Sequence, residues 1–150
     1  SVGFLLGCSF TFDHALAAAG IIPRHVEEGR NVPMYRTNIP TTPAGRFRGP
    51  LVVSMRPMTP SQAEVATRLS AAFPRSHGGP VHVGNPATIG IVSLEHPDYG
   101  EAVSVRPGEI PVFWACGVTP QAAIAEAGIG MVITHAPGHM FVTDFIDTGN

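Results

Sequence analysis

The chain has 150 residues, of which 44% are hydrophobic and only 13% are charged, and its formal net charge is -2. This composition predicts a well-buried globular protein and excludes a disordered one. It leaves no basic surface for nucleic acid, and no apolar run approaches the ~18 residues of a membrane-spanning helix. All nine residues in the lysine-plus-arginine count are arginines, which excludes Schiff-base chemistry on lysine and a P-loop.

Two stretches near the ends of the chain, residues 4–21 and 112–129, align without a gap. In each stretch an apolar segment leads to a small residue, a cysteine, a short loop, a threonine and an alanine-rich segment that ends at glycine. Cys8 and Cys116 are the only cysteines of the chain. We therefore predict two quasi-repeated strand–Cys–helix units, with both thiols at strand ends beside the start of a helix.

The ends of these two helices are also predicted from the sequence. Thr11 and Thr119 suit the N-cap position, where a hydroxyl accepts a hydrogen bond from an orphan backbone N–H. Gly20 and Gly128 suit the C-terminal end, because glycine adopts the left-handed conformation at little cost. Since the positive end of a helix stabilises a thiolate, we expect a lowered pKa at both thiols.

Between the two units, the sequence predicts a loop-rich segment at residues 22–49 with a short extended piece, a strand at 51–55 and a helix from Thr59 to about residue 73. Thr59 and Gln62 have the spacing of a capping box, and a proline occupies the first helical position. Further short strands are predicted at 81–83, 89–91, 102–105, 109–115, 131–134 and 140–143.

The predicted fold class is mixed α/β, a mixed sheet covered by helices and built from the two strand–Cys–helix units. We expect a main lobe formed by residues 1–43 and 96–150. A smaller α/β lobe is inserted at residues 44–95. Because the chain opens inside a strand-like run without methionine, we expect it to lack an upstream segment of a longer protein.

Five long strings occur in order between Phe4 and about Asp144: GCSFTFDHAL, EEGRNVPMYRTNI, GPLVVSMRPM, PVFWACGVTPQAA and ITHAPGHMFVTD. Together they resemble a bacterial family of hydro-lyases that is related to the D-glutamate cyclases. The resemblance implies a longer parent protein, a mixed α/β architecture with two sub-domains, and loss of water from D-glutamate to give 5-oxo-D-proline. It assigns no roles, but the strings coincide with Cys8, Arg36, Asn38, Arg56, Cys116, His135 and His139.

Cyclisation of glutamate joins the α-amine to the γ-carboxylate and expels water, so it needs a general base and a general acid. Our candidate catalytic residues are Cys8, Cys116, His135 and His139. The two thiols could act as in cofactor-independent racemases, where one thiolate removes a proton and the opposite thiol returns one. The two histidines flank a Pro-Gly turn and titrate near neutral pH.

Arginine must supply any fixed positive charge for an anionic substrate, and it grips carboxylates with two hydrogen bonds. The candidate substrate-binding residues are Arg36, Asn38 and Arg56. Structural roles stay open for these candidates. The thiols could simply be packed as small apolar groups, the histidines could bond the backbone across their turn, and Arg36 could form a salt bridge.

The sequence thus predicts a cofactor-independent lyase acting on a small acidic amino acid. A racemase or epimerase using Cys8 and Cys116 and a non-catalytic carboxylate-binding protein are the alternatives. The spacing of His135 and His139 also allows a metal-dependent hydratase completed by Cys116 or Asp144, but we predict no metal and no cofactor. The expected partner is a small carboxylate or amino acid rather than nucleic acid or a membrane, with a homo-oligomer left open. Two cysteines do not form a disulfide framework, which favours the cytoplasm.

Overall fold

The computed structural model describes residues 2–144 and shows a mixed α/β fold with a four-stranded antiparallel sheet. The strands, in spatial order β1-β2-β4-β3, are β1 (Met34–Pro40), β2 (Pro50–Met58), β3 (His82–Val83) and β4 (Ile110–Ala115). All pairings among these strands are antiparallel, so the predicted mixed sheet is wrong for the described residues. The reason is that β4 inserts between β2 and β3, which run in the same direction and would otherwise be parallel neighbours.

Four α-helices accompany the sheet in the described part of the chain: α1 (Phe10–Ala18), α2 (Arg24–Glu27), α3 (Pro60–Ala71) and α4 (Val118–Glu126). The predicted capping box of α3 is confirmed. The Thr59 hydroxyl accepts from the Gln62 backbone N–H at 3.3 Å, and the Gln62 side-chain oxygen accepts from the Thr59 N–H at 3.0 Å. These contacts involve residues three apart in the chain, which is why the sequence predicts this helix well.

The two faces of the sheet are both covered, and alternate side chains of each strand point to opposite faces. Helices α1, α3 and α4 cover one face, which includes Met34, Val52, Arg56, Met58, Val112 and Trp114. The irregular segment 86–94 and Val103 cover the other, which includes Tyr35, Val53, Met55 and Phe113. As a result, residues 52–58 of β2 are all buried, and the side chain of Arg56 lies under the helices.

Several predicted strands are absent from the described residues. Residues 2–7 form no strand, and Phe4 and Leu5 are 78% and 90% exposed. The segments 102–105, 131–134 and 140–143 also carry no strand, and residues 86–89 form a 3-10 turn where the strand at 89–91 was predicted. An apolar segment becomes a strand only where a neighbouring strand pairs with it, and these segments pair with none within residues 2–144.

The ends of α1 and α4 only partly follow the prediction. The N-cap residues are Ser9 and Gly117 rather than the threonines, so the predicted hydroxyl caps are wrong. The Thr119 hydroxyl instead accepts from the Val52 N–H at 2.9 Å and ties α4 to β2. Glycines 20 and 128 do follow the helix ends in the left-handed conformation, as expected.

The two cysteine units have similar structures only in the residues that follow the cysteine. Helix α1 begins two residues after Cys8, and α4 begins two residues after Cys116. A strand precedes the thiol only in the second unit, so the quasi-repeat is not confirmed.

The four-stranded sheet contains strands from both predicted lobes. Strands β2 and β3 come from residues 44–95, and β1 and β4 come from the flanking segments. The division into lobes stays a prediction. Among residues 2–144, no helix has the length and apolar character needed to cross a bilayer.

Candidate active site

The centre of the site is the guanidinium group of Arg56, which is 0% exposed beneath the helices. It forms a two-point ion pair with Asp13 of α1, with Nε 2.6 Å from Oδ1 and Nη2 2.8 Å from Oδ2. Its Nη1 donates to the hydroxyl oxygen of Ser54 at 3.1 Å, and Nη2 also donates to that of Ser9 at 3.3 Å. A buried charge requires such pairing, because an unpaired one would be expensive to desolvate.

Two aromatic rings complete the surroundings of this guanidinium. Its central carbon lies 5.3 Å from the ring centroid of Phe12 and 5.4 Å from that of Trp114, which is the range of cation–π attraction. Arg56 was predicted to bind substrate. Its side chain is fully buried in the described structure, and its role toward a substrate stays a prediction.

The two thiols lie beside Arg56, at the beginnings of α1 and α4. Both are free and half-buried. The Cys8 sulfur accepts a hydrogen bond from the backbone N–H of Phe10, and the Cys116 sulfur accepts one from that of Val118. The charge of Arg56 acts on both thiols, and a charge on Cys8 acts on Cys116, so the two sulfurs share one electrostatic environment.

The lowered thiol pKa expected from the helix positions is wrong for both residues. Burial raises the pKa of Cys8, and it raises the pKa of Cys116 to about 11 with a further contribution from Cys8. Desolvation of a thiolate outweighs the helix N–H groups and the charge of Arg56, which act in the opposite direction. Both thiols are therefore protonated at neutral pH.

His77 is a member of the site that sequence reasoning treated as a turn residue. It has φ 78°, and it is the one non-glycine residue between 2 and 144 with a positive φ. Its Nε2 is buried without a hydrogen-bond partner, and a Cβ built on Gly117 would lie 4.0 Å from that atom. These two features make His77 a candidate member of the site.

The protonation state of His77 follows from its surroundings. Burial lowers its pKa, the charge of Arg56 lowers it further, and a hydrogen bond with the Gly7 backbone opposes them. The imidazole is neutral at physiological pH and can accept a proton.

Gly7 fixes the position of Cys8 against the turn that carries His77. A Cβ on Gly7 would lie 2.0 Å from the carbonyl oxygen of Arg75. No real contact is that short, so only glycine allows the backbone before Cys8 to approach this turn. This close contact holds the backbone before Cys8 against the turn that carries His77, two segments that are distant in sequence.

His25 of α2 is a second neighbour of the Asp13 carboxylate, besides Arg56. Its Nε2 is 3.6 Å from Asp13 Oδ2, its ring stacks on Phe10 with centroids 5.6 Å apart, and its Nδ1 is buried without a partner. Burial and the charge of Arg56 lower the pKa of His25 to about 4, against the opposite effect of Asp13. No spacing in the sequence points to His25 or His77, because their partners come from distant segments.

An open cavity of about 540 Å³ adjoins His25. Its size is in the range of small-molecule sites. It is lined by Phe10, His25, Arg30, Asn31, Val32, Gly100, Glu101, Gly138 and His139. His139, one of the catalytic candidates from the sequence, is therefore beside this cavity, whereas neither thiol is among its lining residues.

The remaining sequence candidates lie elsewhere. Arg36 is exposed and pairs with Glu126 of α4, which matches the structural alternative considered for it. Asn38 is exposed, and His135 is exposed beside Gln121, whose side-chain nitrogen donates to the His135 carbonyl at 3.2 Å. The structure thus groups three of the candidates, Cys8, Cys116 and Arg56. It places His139 at the cavity and His135 beside Gln121.

A metal site receives no support from the described part of the chain. Within residues 2–144, no group of three or more His, Cys, Asp and Glu side chains is arranged to hold a metal ion.

Clusters of titratable groups with shifted pKa values occur more often at functional sites than elsewhere. The model of the family described as D-glutamate cyclase matches residues 2–144. The chain belongs to the D-glutamate cyclase family.

Relatives with closely similar sequences carry names of the same class. A protein of Arthrobacter sp. (strain FB24) named "Putative hydro-lyase" is 61% identical over 143 residues, 95% of this chain and 54% of that protein. "Putative hydro-lyase Bpet2233" of Bordetella petrii is 59% identical over 147 residues, 98% of this chain and 56% of that protein. A "Putative hydro-lyase" of Rubrobacter xylanophilus is 62% identical over 143 residues, 95% and 55% of the two chains. The chain spans about half the length of these curated relatives.

Proposed function

We propose that this chain forms the catalytic part of a cofactor-independent hydro-lyase that cyclises D-glutamate to 5-oxo-D-proline. In this reaction the α-nitrogen bonds to the γ-carbon, a C–O bond of the γ-carboxyl group breaks, and water leaves. The family membership supports the class of reaction. The observation that carries the proposal is that the buried charge of Arg56 acts on two thiols and on the His77 imidazole, whose Nε2 has no hydrogen-bond partner.

The protonation states suit the two proton transfers. A neutral His77 takes the proton that the α-ammonium group must lose before it attacks. A protonated thiol, Cys8 or Cys116, gives a proton to the leaving oxygen. The positive charge of Arg56 stabilises the oxyanion that forms in between.

The remaining candidate residues from the sequence are His139, His135, Arg36 and Asn38. His139 lies at the cavity and could contact a ligand there. The contributions of His135, Arg36 and Asn38 stay predictions, as does the origin of the two units in an internal repeat.

A racemase or epimerase is the second candidate function, and the electrostatic contact between Cys8 and Cys116 favours it. In such an enzyme one thiolate removes the α-proton and the opposite thiol returns one. The raised thiol pKa values mean that little thiolate forms at neutral pH, which is why we place the lyase first. A carboxylate-binding protein without turnover is the third candidate.

The test is to incubate the full-length protein with D- and L-glutamate and to search for 5-oxoproline by mass. A lyase gives the cyclic product, a racemase scrambles α-deuterium in heavy water, and a binding protein shows only ligand-induced thermal stabilisation. Cys8→Ser and Cys116→Ser are assayed singly beside Thr42→Ser, an exposed control. Near-normal rates in both cysteine variants would remove the thiols from the mechanism.

We also propose a cytoplasmic protein whose partner is a small amino acid or carboxylate, not nucleic acid or a membrane. A homo-oligomer is compatible with this function. Light scattering of the purified protein measures the oligomeric state directly.

A further inference from the structure

The cavity beside His25 has a mixed set of charges on its walls. It carries one fixed cation, Arg30, one fixed anion, Glu101, and two imidazoles, His25 and His139. A simple anion or a dicarboxylate would meet the repulsion of the glutamate. A ligand that carries both charges finds a partner for each.

The walls are built from segments that are distant in sequence but tightly packed. The Asn31 side-chain nitrogen donates to the Pro137 carbonyl at 3.1 Å, and a Cβ on Gly138 would lie only 2.0 Å from Asn31 Oδ1. Gly138 also has φ +80°, so its left-handed conformation lets the turn close over Asn31. The cavity is therefore shaped by specific contacts.

Both charged groups keep hydrogen-bonding capacity for a ligand. Arg30 is 49% exposed, bonds the carbonyl of Ala102, and lies 3.6 Å from Glu28, which is too long for a hydrogen bond. A guanidinium group has five donors. The Glu101 carboxylate accepts from the Asn31 N–H at 2.9 Å, and a carboxylate can accept several further bonds.

His25 forms a buried part of the cavity wall. It is only 6% exposed, and its Nδ1 is buried without a hydrogen-bond partner. The charged groups that a ligand can reach are therefore those of Arg30 and Glu101.

We infer that this cavity binds the head group of a zwitterionic α-amino acid, with Arg30 toward its carboxylate and Glu101 toward its ammonium group. The inference deepens the proposed function and rests on it, because it names the residues that hold the head group of the proposed substrate. Phe10 connects the two parts. Its N–H bonds the Cys8 sulfur, and its ring stacks on His25 at the cavity wall.

The test compares the binding of D-glutamate and of glutarate, which lacks the ammonium group, by calorimetry on the full-length protein. Arg30→Gln is expected to weaken both ligands by about tenfold or more, since it removes hydrogen bonds to a charged group. Glu101→Gln is expected to weaken D-glutamate to a similar degree and to leave glutarate unchanged or bound more tightly. Arg30→Lys, which keeps the charge, recovers part of the affinity.

Arg46→Gln and Glu64→Gln are the matched controls, because both residues are exposed and lie outside the cavity lining. Both controls are expected to bind like wild type. Unchanged D-glutamate affinity in Arg30→Gln and Glu101→Gln overturns the inference, as does an equal loss of glutarate affinity in Glu101→Gln. Absence of binding for D-glutamate, L-glutamate and D-aspartate overturns it as well.

The same protein samples separate this inference from the proposed reaction. If D-glutamate binding weakens in Arg30→Gln and Glu101→Gln but no 5-oxoproline forms, the proposed cyclisation is contradicted and the amino-acid site is supported. Product formation with an unchanged KM in both cavity variants contradicts the amino-acid site and keeps the cyclisation.

Discussion

Asp13 and Arg56 lie 43 residues apart in the chain and form a two-point ion pair inside the protein, with N–O distances of 2.6 and 2.8 Å. The arginine is fully buried and the Asp13 side chain is 11% exposed. This pair joins α1 to the central strand. It also sets the charge that acts on both thiols and on His25 and His77.

Asp13→Asn is expected to lower the free energy of unfolding by about 3–5 kcal/mol, because it leaves a buried guanidinium without its counter-charge. Urea denaturation measures the loss. Arg36→Gln, which breaks the exposed pair with Glu126, serves as control and should change stability by less than about 1 kcal/mol. Equal effects in the two variants would contradict a special role for the buried pair.

His77→Asn is expected to keep the fold and to abolish most of the 5-oxoproline formation. Asparagine tolerates the left-handed conformation that His77 adopts, so the backbone is not strained further. It lacks the imidazole that accepts the proton. Loss of general base catalysis usually costs about 10²–10⁴-fold in rate, measured here as kcat, with thermal denaturation to verify folding. A normal kcat would exclude His77 from the proton transfer.

Both thiols are expected to react slowly with iodoacetamide near neutral pH, because only the thiolate attacks. The pKa of Cys116 is raised to about 11, so its alkylation rate should keep rising well above pH 9. Measuring each thiol alone, in Cys8→Ser and Cys116→Ser, separates the two curves. A rate that levels off below pH 8 would show a lowered pKa and would contradict the dominance of burial.

Stability is expected to fall as the pH drops from about 6.5 to about 4. In the folded protein the pKa of His25 is lowered to about 4 from its ordinary value of 6.5, so the unfolded chain binds the proton first. The loss is on the order of 3 kcal/mol, because one pKa unit corresponds to about 1.4 kcal/mol. His77, whose pKa is also lowered, acts in the same direction.

The variant His25→Gln tests the source of this pH dependence. Urea denaturation at several pH values should give a smaller slope for His25→Gln than for wild type, whatever the stability at neutral pH. His14→Gln, at an exposed position, should keep the wild-type slope. An unchanged slope in His25→Gln would assign the effect to other groups.

Gly7→Ala is expected to lower both stability and activity. The new methyl group would lie 2.0 Å from the Arg75 carbonyl oxygen, so the backbone that carries Cys8 must move away from His77. Overpacking of this kind costs about 1–3 kcal/mol. Gly3→Ala is the control, since its added carbon would meet nothing within 4 Å. Equal stability of the two variants in thermal denaturation would contradict the close contact.

The sequence by itself determined the elements whose signals are local. The capping box at Thr59 and Gln62 joins residues three apart, and glycines 20 and 128 end their helices through their own backbone freedom. Strands β2 and β4 were also found, because their apolar runs lie in the centre of the sheet and are buried. The long strings of the sequence indicated the family correctly.

Only the tertiary structure decided the site. The partners of Arg56, the strained turn at His77 and the cavity beside His25 all join segments far apart in the chain, and no local pattern records such contacts. The same physics overturned the predicted thiol pKa values, since desolvation depends on what covers a group. The apolar segments at 2–7 and 131–134 failed as strands because a strand exists only with a partner to receive its hydrogen bonds.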